Sequence, residues 1–271
     1  MKIIGVDENG LGSILGPLVI TFTVFSAPTY HKKLFWQISN KVSDSKKIMR
    51  FGKIKKGEEI VFLFYYLLHQ KFPQKASELI KKIEIKRRKT FCKKCHPEMK
   101  KICQKEEVFL PQEIEKKEIK KIKKEAEILQ RKMEKMKIKL LEIKSFIICP
   151  LEFNQKTQNQ SKIQLELFFI KNLEKKFLKK FSQVLFLCDR VGKNFIKKGD
   201  RTHFPVALSS IFGKYTREIF IKKQNQFFQK IFPSIKPVSG YRDHLTKKFI
   251  KKTQKIREKM NLPEICFLRK K

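Results

Sequence analysis

Two apolar, β-rich runs joined by a turn with adjacent carboxylates constrain this chain more than any other feature. Residues 3–25 read IIGVDENGLGSILGPLVITFTVF, with Asp7 and Glu8 closing the first run and Gly10 and Gly12 following. Acids are scarce in the chain, 26 Asp and Glu against 64 Lys and Arg, so a carboxylate pair at the end of a buried-looking strand needs a cause. Desolvated carboxylates repel unless positive charge lies between them, and a divalent cation with a phosphate supplies it. Asp, Asn and Gly are also ordinary turn formers. The segment alone is therefore compatible with a metal site or with a polar hairpin tip.

The formal net charge of +38 favours polyanionic partners, nucleic acid first among them. Lys, Ile, Phe and Asn all have A/T-rich codons, so part of the excess reflects base composition. A hydrophobic fraction of 41% supports a real core. No apolar run reaches the roughly 18 residues of a membrane span. Met1 to Gly5 enters a strand directly, without a signal-peptide pattern. A cytoplasmic protein with no membrane partner, acting as a monomer, is expected. The six cysteines do not resemble a disulfide framework, and clustered ones in a reducing compartment point to metal.

Along the chain, residues 58–72 read as a buried helix or a long strand that Pro73 ends. Ala76, Leu79, Ile80 and Ile83 have helical spacing. From Ile119, apolar residues recur at Ile122, Ala126, Leu129, Met133, Met136, Leu140 and Ile143, in steps of three and four. That spacing predicts a helix of about 30 residues, roughly 45 Å long, that either projects as a hairpin or packs as an amphipathic core helix. Residues 145–150 read as a short strand, 163–181 as an amphipathic helix and 184–189, VLFLCD, as a strand ending in a second carboxylate. Alternating strands and helices imply an α/β layer structure with the acids at one sheet edge. If the strands neighbour one another, Asp7, Glu8, Asp189 and Asp200 form a four-carboxylate cluster, suited to two divalent ions about 3.5–4 Å apart. Mg²⁺ suits such oxygen ligands.

In order along most of its length the chain resembles the ribonuclease HII family, which cuts the RNA strand of RNA–DNA hybrids. GVDENGLGSILGPLV, from Gly5, is similar to the family's opening GxDExGxGxxxGPxV, and Asp44-Ser45-Lys46-Lys47 matches its DSKK. Cys149-Pro150-Leu151-Glu152 takes the place of its SPxE segment. Residues 209–218, SSIFGKYTRE, resemble its ASILAKVTRD, and Gly240-Tyr241 its glycine-tyrosine. The resemblance implies an α/β fold with an RNase H-like mixed sheet flanked by helices, and two-metal phosphodiester hydrolysis with Mg²⁺ or Mn²⁺. It implies Asp7, Glu8, Asp189 and Asp200 as catalytic metal ligands. The backbone of the turn Gly10, Leu11, Gly12 would sense a ribose 2′-hydroxyl, Tyr241 would stack at the sugar, and Lys46, Ser210 and Lys214 would contact phosphates. The implied substrate is an RNA–DNA hybrid or DNA containing ribonucleotides. A catalytically altered or inactive nucleic-acid-binding protein of the same fold is the alternative.

The chain departs from the family at Leu11, where arginine is usual, in a short interval between Asp189 and Asp200, and in DRVGKN after the third acid. It also takes a much longer path between the DSKK and SPxE segments. The resulting division is a core in two parts, 1–75 and 145–271, around a long inserted helical hairpin, 76–144, that has a possible protein partner. Within the insert, FCKKCHPEMKKIC places Cys92 and Cys95 at knuckle spacing, with Cys103 beyond. These could hold a structural Zn²⁺ or be incidental. Cys149, Cys188 and Cys266 read as core residues, and His203, close to Asp200, as surface or near the metals.

Overall fold

A computed structural model describes residues 1–85, 95–188 and 199–270. Its centre is a four-stranded mixed sheet in the order β3-β2-β1-β4. β1 (Lys2–Asn9) and β2 (Leu18–Ser26) are the antiparallel hairpin expected from residues 3–25, and β3 (Lys139–Ile148) runs antiparallel to β2. β4 (Val184–Cys188) runs parallel to β1 and ends with Cys188 paired to Val6, the residue before Asp7. The run 58–72 resolves as a helix that spans Lys55–His69 and is ended by Gln70 in the left-handed region (φ 53°), three residues before Pro73. The helices are α1 (Lys32–Trp36), α2 (Ser45–Ile48), α3 (Lys55–His69), α4 (Ala76–Ile83), α5 (Pro97–Lys100), α6 (Lys116–Lys135), α7 (Pro150–Lys156), α8 (Lys162–Lys180), α9 (Gly199–Thr202), α10 (Phe204–Ile231), α11 (His244–Lys259) and α12 (Glu264–Phe267). Lys101–Lys105 extends α5 as a π-helical turn. No helix among the described residues is long and apolar enough to cross a membrane.

Strand alternation divides the sheet's two faces. Ile4, Val6, Leu18, Ile20, Phe22 and Val24 pack with Leu165, Phe169, Leu173 and Phe177 of α8. The opposite face, with Ile3, Gly5, Asp7, Thr21, Thr23 and Phe25, lies under α10. That helix comes unusually close at Gly5, where a Cβ would lie 2.2 Å from the Pro205 carbonyl carbon. Ser209 Oγ donates to Gly5 O at 2.8 Å and Thr23 Oγ1 to Pro205 O at 2.9 Å, fastening helix to sheet with polar contacts.

The long helix expected over residues 119–143 is corrected: α6 stops at Lys135, and Leu140 and Ile143 belong to β3. The reason is a β-bulge. Val24 pairs with Glu142 and Phe25 with Leu140, so Leu141 is an extra residue. Leu140 and Ile143, three apart, therefore enter the same apolar cluster and imitate helical spacing. The strand begun at residue 145 in the sequence reading starts six residues earlier, at Lys139.

Nor is the region 76–144 a separate projecting hairpin among the described residues. Ile122, Ala126, Leu129 and Met133 of α6 pack with Ile3, Phe25 and the apolar face of α3 in one cluster. Glu58 on α3 accepts the backbone N–H groups of Gln112 at 2.7 Å, Glu113 at 2.8 Å and Ile114 at 3.2 Å. Glu113 in turn accepts the N–H groups of Ile54 and Lys55. The boundary expected at residue 144 also falls inside β3.

Candidate active site

The site begins where β1 meets α10. Asp7 is 7% exposed and pairs across the hairpin with Thr21, on the face that α10 covers. Glu8, half-buried, follows it directly near the end of the strand, paired with Ile20. Asn9 binds the first acid to the helix: its Nδ2 donates to Asp7 Oδ2 at 3.0 Å and to Ser210 O at 3.2 Å. Ser210, 3% exposed, shares a 2.9 Å hydrogen bond with Ser45 Oγ. Lys214, one helical turn on, donates its Nζ to Ser45 O at 3.0 Å and to Met49 O. Burial lowers the pKa of this ammonium below its ordinary value. Ser210 and Lys214 thus brace α2 against α10, and Lys46 is the residue of that group whose side chain is exposed.

Asp200, in α9, stands in a second polar group on the same side. Its carboxyl is held above the ordinary aspartate range, first by burial and then by the charge of Asp44, with Lys46 and Arg201 acting against the shift. Asp44, 5% exposed, caps α2 by accepting Lys46 N–H at 2.9 Å and pairs with Arg201 Nη2 at 2.9 Å. Burial and one neighbouring acid therefore penalise the ionised form of Asp200, the condition under which a bound cation is favoured. Asp189 lies outside the described residues; the strand leading to it, β4, ends beside Val6. Among the described residues no group of three or more His, Cys, Asp or Glu is arranged to hold a metal ion.

The glycine turn is the third part. Gly10 has φ +90°, a conformation that suits glycine, and a Cβ there would lie 2.8 Å from Arg217 Cδ and Nε. Leu11 packs at the edge of the α8 cluster, whereas Gly12 is exposed, with no heavy atom within 4 Å of a notional Cβ. Arg217, fully buried on α10, pairs with Glu218 at 3.0 Å, donates Nη2 to Ser239 O at 2.8 Å, and lies 4.3 Å from the ring centroid of Tyr241, which is 42% exposed. Arg217 thereby joins the glycine turn to the Tyr241 loop, both of which the sequence nominated.

Of the remaining nominees, Cys92 lies outside the described residues. Cys95 is buried and Cys103 half-buried, both in an apolar cluster with Met99, Ile102, Phe228 and Phe267. Cys266, read as core, also hydrogen-bonds the Cys95 thiol, which together with His96 lowers its pKa. His203 shares a 2.6 Å hydrogen bond from Nδ1 with Tyr30 Oη and stacks on that ring, and burial lowers its pKa. Sequence reasoning missed Asn9, Arg201, Arg217 and Arg269. Asn9 and Arg217 stood inside quoted motifs, while Arg201 and Arg269 carried no local signal.

The family model described as Ribonuclease HII matches residues 4–265. No curated protein matches the sequence. Among solved structures, the chain is similar to one described as the PCNA:RNase HII complex from Archaeoglobus fulgidus, at 12% identity and TM-score 0.43, covering 100% of this chain and 96% of that one. It is also similar to the ribonuclease H2 from Pyrococcus horikoshii OT3, at 17% identity and TM-score 0.36, covering 98% and 92%. A third match is the RNase H3 of Aquifex aeolicus, at 14% identity and TM-score 0.45, covering 98% and 71%.

Proposed function

The chain belongs to the ribonuclease HII family of ribonuclease H-type hydrolases, and from that premise we propose that it hydrolyses the RNA strand of RNA–DNA hybrids, or cuts at ribonucleotides embedded in DNA, with divalent metal ions. The observation that carries the reading is the acid-bearing seam along α10: Asp7 tied through Asn9 to Ser210, and Asp200 desolvated beside Asp44. Carboxylate oxygens are hard ligands that fit Mg²⁺ or Mn²⁺. Asp7, Glu8, Asp189 and Asp200 would hold the metal. When bound, it supplies a water nucleophile at neutral pH and charge stabilisation of the transferring phosphate.

The chain's own residues do the rest. Asn9 fixes the rotamer of Asp7 by holding Oδ2. Arg201 and Lys46 place positive charge beside Asp44 and Asp200, where a phosphodiester would lie. Exposed Gly12 lets a sugar approach the turn backbone, and Tyr241, kept over Arg217, offers a ring face for stacking.

The alternative, an RNase H-like protein that binds nucleic acid without cutting it, draws support from Leu11, which packs toward the α8 cluster and brings no charged donor to the turn. One experiment separates the two. Purified protein is incubated with Mg²⁺ or Mn²⁺ and labelled RNA–DNA, DNA with one ribonucleotide, and DNA alone. Cleavage confined to the ribonucleotide-containing strands, and lost in Asp7→Asn, is expected. Binding to all three without cleavage in either metal would establish the alternative.

A further inference from the structure

Arg269 is 2% exposed and reaches the glycine turn from the opposite end of the sequence. Its Nη2 donates to Gly10 O, Ser13 O and Ser13 Oγ, while its Nε and Nη1 are buried with no hydrogen-bond partner among the described residues. The guanidinium carbon lies over the Phe153 ring, 4.6 Å from its centroid, in a cation–π contact. The segment carrying it is fastened on both sides. Arg269 N donates to Ile14 O at 2.9 Å, Leu15 bridges Leu268, and Asn154 Nδ2 donates to Ile265 O and Leu268 O. Lys270 N donates to Asn154 Oδ1 at 2.9 Å.

A buried guanidinium with two orphaned donors is costly for folding, so its position calls for a use other than packing. We propose that Arg269 is a positioning residue for ribonucleotide recognition: by gripping Gly10 O and Ser13 O from beneath, it turns the peptide N–H of Leu11 outward to the ribose 2′-hydroxyl. The inference rests on the functional reading above. A trans peptide is planar, so its N–H points opposite to its C=O. With Gly10 O drawn inward, Leu11 N–H faces the side on which Gly12 lies exposed. The same rule places Ile14 N–H opposite Ser13 O, and Ile14 N donates to Gly240 O at 2.9 Å. Arg269 therefore acts together with Ser13, whose N–H and Oγ also donate to Gly10 O at 3.2 and 2.9 Å, to fix the turn and its register with the Tyr241 loop. Burial and nearby Arg217 lower the pKa of Arg269 to about 9, which leaves it cationic at neutral pH. Leu11 offers no side-chain charge to the substrate, so discrimination at this turn falls to the backbone that Arg269 holds.

The test compares wild type, Arg269→Met, which keeps an apolar stem over Phe153 but has no donors, and Arg269→Lys, which keeps charge without the fork. For each, the melting temperature is measured, with kcat and KM on DNA containing one ribonucleotide. The ratio of affinities for that duplex and its all-DNA counterpart is measured separately, in Ca²⁺ to prevent turnover. Expected is a fall in kcat/KM of about 10- to 100-fold for Arg269→Met, the size of effect of an ångström-scale misplacement, and an affinity ratio approaching one with all-DNA affinity unchanged. Arg269→Lys should recover part of the ratio. A purely structural role would weaken both duplexes alike and leave the ratio at its wild-type value, which would overturn the proposal. If Arg269→Met does not fold, Arg269→Lys decides: an unchanged ratio overturns the proposal and a reduced one supports it. A wild-type protein that neither cuts nor prefers ribonucleotides sinks the functional reading and this inference together, whereas active variants equal to an active wild type sink this inference alone.

Discussion

Two acids, Glu58 in the core and the half-buried Asp200, have opposite surroundings. Glu58, fully buried on α3, accepts three backbone N–H groups and the hydroxyl of Tyr215, so its oxygens face donors that water would otherwise have supplied. Asp200 is desolvated beside another acid, Asp44, and its proton affinity rises. A buried carboxylate surrounded by donors holds the chain together. One that faces a second carboxylate costs stability, and on the proposed reading Asp200 is kept for the metal it would bind.

The largest effects should separate these roles cleanly. Glu58→Ala would orphan three amides and a phenol in the core, where charge-assisted hydrogen bonds contribute about 1.5–3 kcal/mol each before relaxation. A loss on the order of 4 kcal/mol, a large part of a typical domain's stability, is expected in denaturant titration. Asp200→Asn should do the reverse, abolishing turnover while the melting temperature holds or rises. If Asp200→Asn unfolds the protein as readily as Glu58→Ala, the distinction between the two acids collapses.

Glu58 also explains what the sequence could and could not reveal. The hairpin and β4 were legible as short apolar runs of strand length, and α8 and the helix over residues 76–83 by their 3.6-residue apolar period. The acids at strand ends stood out against a lysine-rich background. Region 76–144 was misread as an appendage because its ties are non-local: Glu58 to residues 112–114, α6 on α3, and β3 on β2. A bulge at Leu141 disguised strand as helix by placing Leu140 and Ile143 three apart on one face. Arg269 was invisible, since nothing near it in the chain indicates a contact with Gly10. Leu129→Ala, on the α6 face that enters the core, sharpens the point. A loss of about 2–4 kcal/mol, usual for a buried leucine, is expected, and a loss under about 0.5 kcal/mol, the range of surface substitutions, would restore the projecting hairpin.

The Asp200 environment also has a pH signature. A carboxyl whose folded pKa is raised binds its proton more tightly in the native state, so its penalty on folding is absent below the unfolded pKa. The penalty grows as pH rises through the interval up to the folded pKa and is then fully present. If Asp200 holds the metal as proposed, turnover needs the ionised form and should run the other way, falling as pH drops through that raised pKa. Asp44→Asn keeps a side chain able to cap α2 but removes the second-largest cause of the shift. The acid limb of kcat/KM should move to lower pH in this variant. A limb that stays put would mean that another group governs it.

The smallest expected effect lies on the cationic side of the comparison. α11 follows Tyr241 closely and buries Thr246, Phe249, Thr253 and Arg257, leaving Lys247, Lys248, Lys251, Lys252 and Lys255 exposed as a stripe. Lysines on a solvated face contribute to affinity through released counterions, about 0.9 in the slope of log K against log salt per neutralised phosphate. If the backbone of a bound duplex continues from Tyr241 along α11, Lys251→Ala with Lys252→Ala should lower that slope by about 1.8, at about 0.9 per contact, and leave kcat unchanged. Asp200→Asn should leave the slope at its wild-type value while abolishing kcat. An unaltered slope in the double lysine variant would direct the duplex away from α11, and a changed kcat would show that the stripe positions the scissile bond as well as holding the strand.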